Sequence, residues 1–189
     1  MVKNLIRKSL LEQGQLLSKN FVHKANIDIQ NAAIKHLDIR SSKNILSYFP
    51  YKNEVTLEII SQEFKKYKNN IFMPRIVSAN QLKFNLFKEN ATLEKNKYGI
   101  NEVKNENYLD SASFDLMFIP FVGIDKGGYR LGYGGGYFDR SLNKISFAEK
   151  KPIIVGLGYD FQILEESFAE SHDLKYDIVI TQTRIHSYS

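Results

Sequence analysis

The chain contains no cysteine, which excludes disulfides, zinc–thiolate centres and thiol nucleophiles together. No apolar run approaches the length needed to cross a membrane, and Met1-Val2-Lys3-Asn4-Leu5-Ile6-Arg7-Lys8 lacks the uninterrupted apolar stretch of a signal peptide. A cytoplasmic protein with no membrane partner is expected. The four histidines, His23, His36, His172 and His186, lack metal-ligand spacing and receive no chemistry. Internal repeats and low-complexity segments are also missing. At 189 residues, 43% hydrophobic and 25% charged, the composition excludes disorder and suits a single domain spanning residues 1–189.

A net charge of +5 with 13% aromatic residues raises a nucleic-acid reading, but the lysines lie beside glutamates along amphipathic segments. Glu58-Ile59-Ile60-Ser61-Gln62-Glu63-Phe64-Lys65-Lys66-Tyr67-Lys68 has the pattern of a solvated helix face. No nucleic-acid motif occurs. A modest positive field also suits small anionic ligands.

Glycine is sparse overall, yet seven of the eleven glycines fall between Gly123 and Gly136. Glycine costs backbone entropy wherever it is ordered, so this density fits a backbone that turns tightly or presses its N–H groups against a ligand. The apolar run Phe114–Val122 reads as a buried strand ahead of the glycines, and Tyr137–Leu142 can open a helix after them. Arg130 and Arg140 bracket the loop, Lys126 precedes it, and Asp139 stands where a carboxylate could hold a divalent cation beside phosphate oxygens. A nucleoside triphosphate with magnesium fits that set best. Two familiar phosphate loops are excluded. No Lys-Ser/Thr follows the glycines, and Tyr137 replaces the third glycine of a dinucleotide fingerprint.

Periodicity predicts a helix over about the first twenty residues, with Lys3 and Arg7 one turn apart, then helices from Ile27 to Leu37 and from Val55 to Lys68. Strands are predicted at Asn44–Phe49, Ile71–Met73, Leu82–Phe87, Pro152–Tyr159 and Asp177–Gln182, the last two apolar enough to be central and parallel. Lys88–Ser113 reads as loops with a short helix or turn. The order implies an α/β protein with an open, mostly parallel sheet and helices on both faces, in three layers. Glu54, Arg75, the glycine loop, Gln162 and Asp173 all follow predicted strands, where ligands gather in such sheets.

The ordered series Pro120, Asp125, Arg130-Leu131-Gly132 through Asp139-Arg140 resembles the central signature of the 5-formyltetrahydrofolate cyclo-ligases, also called methenyltetrahydrofolate synthetases. The likeness extends over essentially the whole chain: Lys3 and Arg7, Tyr48 to Glu54, Met73-Pro74-Arg75, Val155 to Tyr159 with Gln162, then His172-Asp173 and Asp177. Phe138 stands where the family usually has a second tyrosine, Ile124 where it has phenylalanine, and Val103 where proline follows the Gly-Ile-x-Glu-like stretch Gly99–Glu102. The loss of that proline implies a freer loop.

The resemblance implies that ATP and 5-formyltetrahydrofolate, possibly carrying a polyglutamate tail, become 5,10-methenyltetrahydrofolate, ADP and phosphate in a monomeric, Mg2+-dependent enzyme. It implies ATP contacts from Lys3, Arg7, Arg130, Leu131, Gly132, Tyr133, Gly134, Gly135, Gly136, Tyr137 and Phe138, and substrate contacts from Phe49, Glu54, Tyr98, Tyr133 and Tyr137. Arg130 and Tyr137 would be catalytic, and Asp139 and Asp173 would hold the metal. The residues alone also admit structural roles: a salt bridge for Arg130, a helix cap for Asp139, a turn for Asp173, solvated charges for Lys3 and Arg7, a helix N-terminal carboxylate for Glu54, and core packing for Phe49. Two other functions stay open, a different ATP-dependent ligase or kinase on the same loop and a basic nucleic-acid-binding module.

Overall fold

A computed structural model describes residues 2–79, 81–143, 145, 150–170 and 173–188. Helices α1 (Val2–Gln15) and α2 (Lys19–His36) open the chain. The second begins at Lys19 rather than Ile27 because the Ser18 hydroxyl accepts the Phe21 N–H at 3.2 Å and caps it. Strand β1 (Asn44–Leu46) is followed by α3 (Glu58–Tyr67), which Lys68 ends with a left-handed backbone, φ 56°. Next come β2 (Asn70–Ser78), β3 (Gln81–Phe87), β4 (Leu93–Lys95), β5 (Asn101–Val103), β6 (Tyr108–Leu109), β7 (Leu116–Phe118), β8 (Gly123–Ile124) and β9 (Arg130–Leu131). Helix α4 (Tyr137–Ser141), β10 (Ile153–Leu157), β11 (Ile178–Ile180) and β12 (Ile185–Ser187) complete the chain.

The eight-stranded sheet runs β12-β11-β10-β7-β1-β2-β3-β6. The five strands from β11 to β2 are mutually parallel, and antiparallel strands finish each side. Consecutive residues of the central strands feed opposite faces. Ile45, Leu116, Phe118, Val155 and Ile180 pack with Ala25, Ile29 and Ala33 of α2 and Ile60 and Phe64 of α3. Leu46, Met117, Ile119, Ile154 and Val179 pack with Phe138 and Leu142 of α4 and its surroundings. Two buried faces explain why these strands read as unbroken apolar runs. Each fully buried aliphatic side chain contributes about 1.5–3 kcal/mol. The three-layer α/β expectation holds, although the second face carries only the five-residue α4.

Several local expectations change. Residues 88–113 contain the expected short helix, a 3-10 turn at Ser111–Ser113, but also a two-stranded hairpin, β4 with β5, and the edge strand β6. Val103 is fully buried opposite Leu93, so the site of the missing proline is an ordered strand. Arg75 lies inside the nine-residue β2, whose pairing with β3 continues past the end of β1. β12 was not anticipated, and His172 falls outside the described residues.

Asp125 holds the loop between β8 and β9. Fully buried, it accepts N–H bonds from Gly127 and Tyr129, both at 2.9 Å, and from Phe168 at 3.3 Å. Removing the carboxylate strands three donors. Asp125→Ala should lower the unfolding free energy by about 2–4 kcal/mol in urea titrations followed by circular dichroism; a loss below about 0.5 kcal/mol would show that the turn stands without it.

Candidate functional site

Strands β1 and β7 are neighbours, but the chain leaves β1 for β2 on one side while β7 leads to β10 and β11 on the other. Loops departing in opposite directions open a crevice beyond the strands' carboxyl ends. A cavity of about 210 Å³ occupies it. The loop after β1 lines it with Tyr48, Phe49, Tyr51 and Glu54, and the segment after β7 with Pro120, Arg130, Tyr133 and Gly135 to Phe138. Pro74, Ile76 and Leu82 add an apolar wall, and Tyr98 and Glu102 approach from the β4–β5 hairpin.

Arg130 organises the glycine loop. Only 6% exposed, its Nε donates to Pro120 O at 2.9 Å and its Nη1 meets Asp139 Oδ2 at 3.2 Å. The guanidinium lies 5.2 Å from the Phe138 ring centroid. Gly132 is required by this packing, since a Cβ there would come within 2.5 Å of Arg130 Nη1. Gly134 and Gly136 have positive φ, 101° and 60°, a backbone that side chains disfavour. Arg140 donates back to Gly135 O, closing the loop on its far side. Leu131 turns its side chain into a cluster with Leu10 and Val122, which leaves its backbone for any ligand. With α4 so short, an anion here would depend on loop N–H groups and guanidiniums more than on a helix dipole.

Helix α1 brings Arg7, but not Lys3, onto the same loop. Arg7 Nε donates to Gly132 O at 2.7 Å, and Arg7 Nη1 donates to Asn4 Oδ1. Burial and the neighbouring charge of Arg130 lower the Arg7 pKa. Two guanidiniums thus converge on one glycine loop, an arrangement that an anion would relieve. Lys3 instead binds Asp173 Oδ2 at 2.6 Å and Glu170 Oε1 at 3.2 Å. Burial opposes its charge, but these hydrogen bonds outweigh that and raise its pKa. Asp139 faces Arg130 and accepts the Leu174 N–H at 3.2 Å. Among the described residues no three His, Asp or Glu side chains gather as a metal cage. Two carboxylates beside the loop still fit a cation that takes one or two carboxylates and fills its shell with phosphate oxygens.

The opposite wall is aromatic. Phe49 packs edge-on to Phe87, with centroids 5.7 Å apart, and still borders the cavity. Tyr133 stands edge-on to Tyr51 at 5.4 Å, with Lys52 Nζ 5.7 Å from its ring centroid. Tyr137 and Tyr98 meet hydroxyl to hydroxyl at 3.4 Å. Hydrogen bonds with Tyr98 and Lys97 lower the Tyr137 pKa. Tyr48, Tyr51, Asn96 and Glu102 also line the cavity without having been expected there; Tyr48 and Tyr51 lie in the Tyr48–Glu54 block and Glu102 in the Gly99–Glu102 stretch, whereas Asn96 stood in no motif. Gln162 and Arg75 lie outside this cavity. Gln162 clamps the turn after β10 to Val122 O at 2.9 Å, and Arg75 braces the hairpin through Asn105 O at 3.0 Å and Glu94 Oε1 at 3.2 Å.

Glu54 is the acidic group of this wall. Burial pushes its pKa from 4.5 to about 7, against the Tyr51 N–H bond at 2.7 Å and the charge of Arg130, which favour the carboxylate. Because the folded pKa lies above the unfolded one, the native state holds the extra proton. The cost of Glu54 is therefore absent below pH 4.5 and grows as pH rises through about 7. Glu54→Gln should match the parent in urea stability near about pH 4.5 and exceed it by about 2–3 kcal/mol near about pH 8.5. A pH-independent gap would refute the assignment.

The chain resembles proteins with the same catalytic name. The 5-formyltetrahydrofolate cyclo-ligase of Haemophilus influenzae is 31% identical over 163 residues, covering 84% of this chain and 86% of the relative. The solved structure of Aquifex aeolicus 5,10-methenyltetrahydrofolate synthetase superposes with a TM-score of 0.85 at 26% identity, covering 100% of this chain and 93% of the other. That of Mycoplasma pneumoniae 5,10-methenyltetrahydrofolate synthetase gives 0.78 at 27% identity, covering 96% and 99%. With the family model matching residues 1–182, on a fold that brings Arg7, Arg130 and Glu54 around one crevice, the chain belongs to the 5-formyltetrahydrofolate cyclo-ligase family.

Proposed function

We propose that this protein uses ATP to cyclise 5-formyltetrahydrofolate to 5,10-methenyltetrahydrofolate, releasing ADP and phosphate. The observation that carries the reading is the convergence of Arg7 and Arg130 on a glycine loop that borders an aromatic cavity faced by the Glu54 carboxylate. Such a site suits an anion beside a planar, donor-rich ring. Family membership supports the folate half of the reading.

Both nucleophiles belong to the substrate. The formyl oxygen attacks the γ-phosphorus and displaces ADP, giving an iminium phosphate. N10 then attacks the activated carbon, the C–O bond breaks, phosphate leaves and N10 loses its proton. No enzyme nucleophile is required, and the residues present align reactants and neutralise charge. Arg130, Arg7 and the backbone from Leu131 to Phe138 would hold the β- and γ-phosphates, with Lys3 freed from Asp173 to join them. Tyr133 and Tyr137 would border the formyl group, Glu54 would accept N–H bonds from the pterin, and Phe49 and Tyr98 would flank it. Mg2+, held by Asp139 and Asp173, would supply neutralisation of the phosphoryl oxygens. The folate's glutamate tail, single or extended, adds further negative charge that the basic chain favours.

The decisive assay follows the near-ultraviolet absorbance of the methenyl product with protein, 5-formyltetrahydrofolate, ATP and Mg2+, omitting each in turn. Growth that needs all four components is expected; no growth, with ATP still bound, would assign another acceptor. Arg130→Ala should cost roughly ten- to a hundredfold in ATP-dependent rate, as befits a lost charge-assisted contact of roughly 1.5–3 kcal/mol. Unchanged kinetics would remove Arg130 from the site. Gly132→Ala, whose Cβ meets the Arg130 guanidinium, should reproduce most of that loss.

A further inference from the structure

The wall of the cavity formed by the β4–β5 hairpin is held by a buried relay. Glu102, only 5% exposed, accepts the Ile76 N–H of β2 at 3.0 Å and the Asn96 side-chain amide at 2.8 Å, both on Oε1. Asn96 in turn shapes the hairpin turn, its Oδ1 accepting the Tyr98 N–H at 2.9 Å and the Ile100 N–H at 3.1 Å. Gly99, with φ 79°, completes that turn. One carboxylate oxygen thus couples the sheet, through a single amide, to the backbone that aims Tyr98.

The two ends of the hairpin differ in how firmly they are held. At its base, Arg75 bonds Glu94 and Asn105 O, and Val103 is fully buried. At its tip, Tyr98 is 47% exposed and reaches the glycine-loop side through a 3.4 Å hydroxyl contact with Tyr137. Lys97 Nζ lies 5.1 Å from the Tyr98 ring centroid and 5.9 Å from that of Tyr137. A contact that long and exposed is weak, so the tip can leave the glycine loop while the base stays docked.

We propose that Glu102 and Asn96 are positioning residues for folate. They hold the Tyr98 turn at the mouth of the cavity, so that its ring closes over the pyrimidine end of the substrate's pterin while the Tyr98–Tyr137 contact yields to admit it. The inference rests on the folate reading above. Glu102 contributes an acceptor atom rather than a charge, since its two partners are neutral N–H donors. Glutamine at the same position keeps that oxygen; alanine strands both donors. Asn96→Asp keeps the turn-shaping Oδ1 but sets a carboxylate against Glu102 in place of the donor.

The test measures KM for each substrate. Glu102→Ala and Asn96→Asp should raise KM for 5-formyltetrahydrofolate about tenfold or more and leave KM for ATP within about twofold, with Glu102→Gln close to the parent. Equal rises in both KM values, no change, or failure of glutamine to rescue would overturn the relay. A second readout needs neither activity nor ligand. Since the chain has no tryptophan, Tyr98→Trp introduces a single tryptophan at the tip, which can be excited apart from the tyrosines. Acrylamide quenching of that tryptophan should rise about twofold when Glu102→Ala or Asn96→Asp is added and stay unchanged with Glu102→Gln. Equal quenching in all backgrounds refutes the relay even if 5-formyltetrahydrofolate is not turned over, whereas an inactive parent that shows the quenching pattern refutes only the folate reading. If Glu102→Ala does not fold, Asn96→Asp, which keeps the turn-shaping Oδ1, carries the test alone.

Discussion

Arg130 is a guanidinium almost wholly removed from water, and such a group is tolerated only where acceptors surround it. Pro120 O and Asp139 supply them, the Phe138 ring packs beneath, and Gly132 contributes the missing side chain that lets the group lie flat against the loop. From this one arrangement follow the path of the chain after β7, the start of α4 and the orientation of Asp139. Tyr176 reinforces it, donating its hydroxyl to Ile119 O at 2.9 Å on the same strand end.

A second cation drawn to the same loop gives the site its chemical bias. Arg7 reaches Gly132 O from α1, and its lowered pKa records what burial beside Arg130 costs it. Clustered positive charge held by rigid partners stabilises charge that develops on a transferring phosphoryl group without reorganising at that moment. Across the cavity Glu54 is poised the other way, burial favouring its protonated form while Arg130 favours the carboxylate. A ring presenting N–H donors would tip it toward ionisation. On the proposed reading the two walls suit different ligands, an anion and a donor-rich heterocycle, which would meet in the crevice between β1 and β7.

The walls also differ mechanically. The glycine loop is tied at close intervals by Arg7, Arg130 and Arg140, whereas the hairpin carrying Tyr98 is fixed at its base and lightly held at its tip. A rigid cationic side with a hinged aromatic side is a workable division for a site that admits a bulky substrate and then aligns it.

Much of this was legible in sequence. The density of glycine between Arg130 and Arg140, the apolar runs at Leu116–Phe118, Val155–Leu157 and Ile178–Ile180, and the carboxylate at Glu54 each follow from local chemistry: backbone freedom, burial on two faces, and a charged residue just past a strand. The hairpin at Leu93–Val103 was not legible, because its strands are three residues long and its stability comes from β2 and Arg75 rather than from its own alternation. Glu102, Asn96 and Tyr51 acquire their positions only when the hairpin and the β1 loop meet over the cavity. The pairing of Lys3 with Asp173, 170 residues apart, likewise leaves no mark in either neighbourhood. By itself the sequence determined the parallel centre of the sheet, the glycine loop and the family, since these rest on patterns of neighbouring residues. Which charges neutralise one another, and which ring closes the cavity, was decided by tertiary structure alone, because such contacts depend on distances the chain acquires only when its strands are ordered side by side.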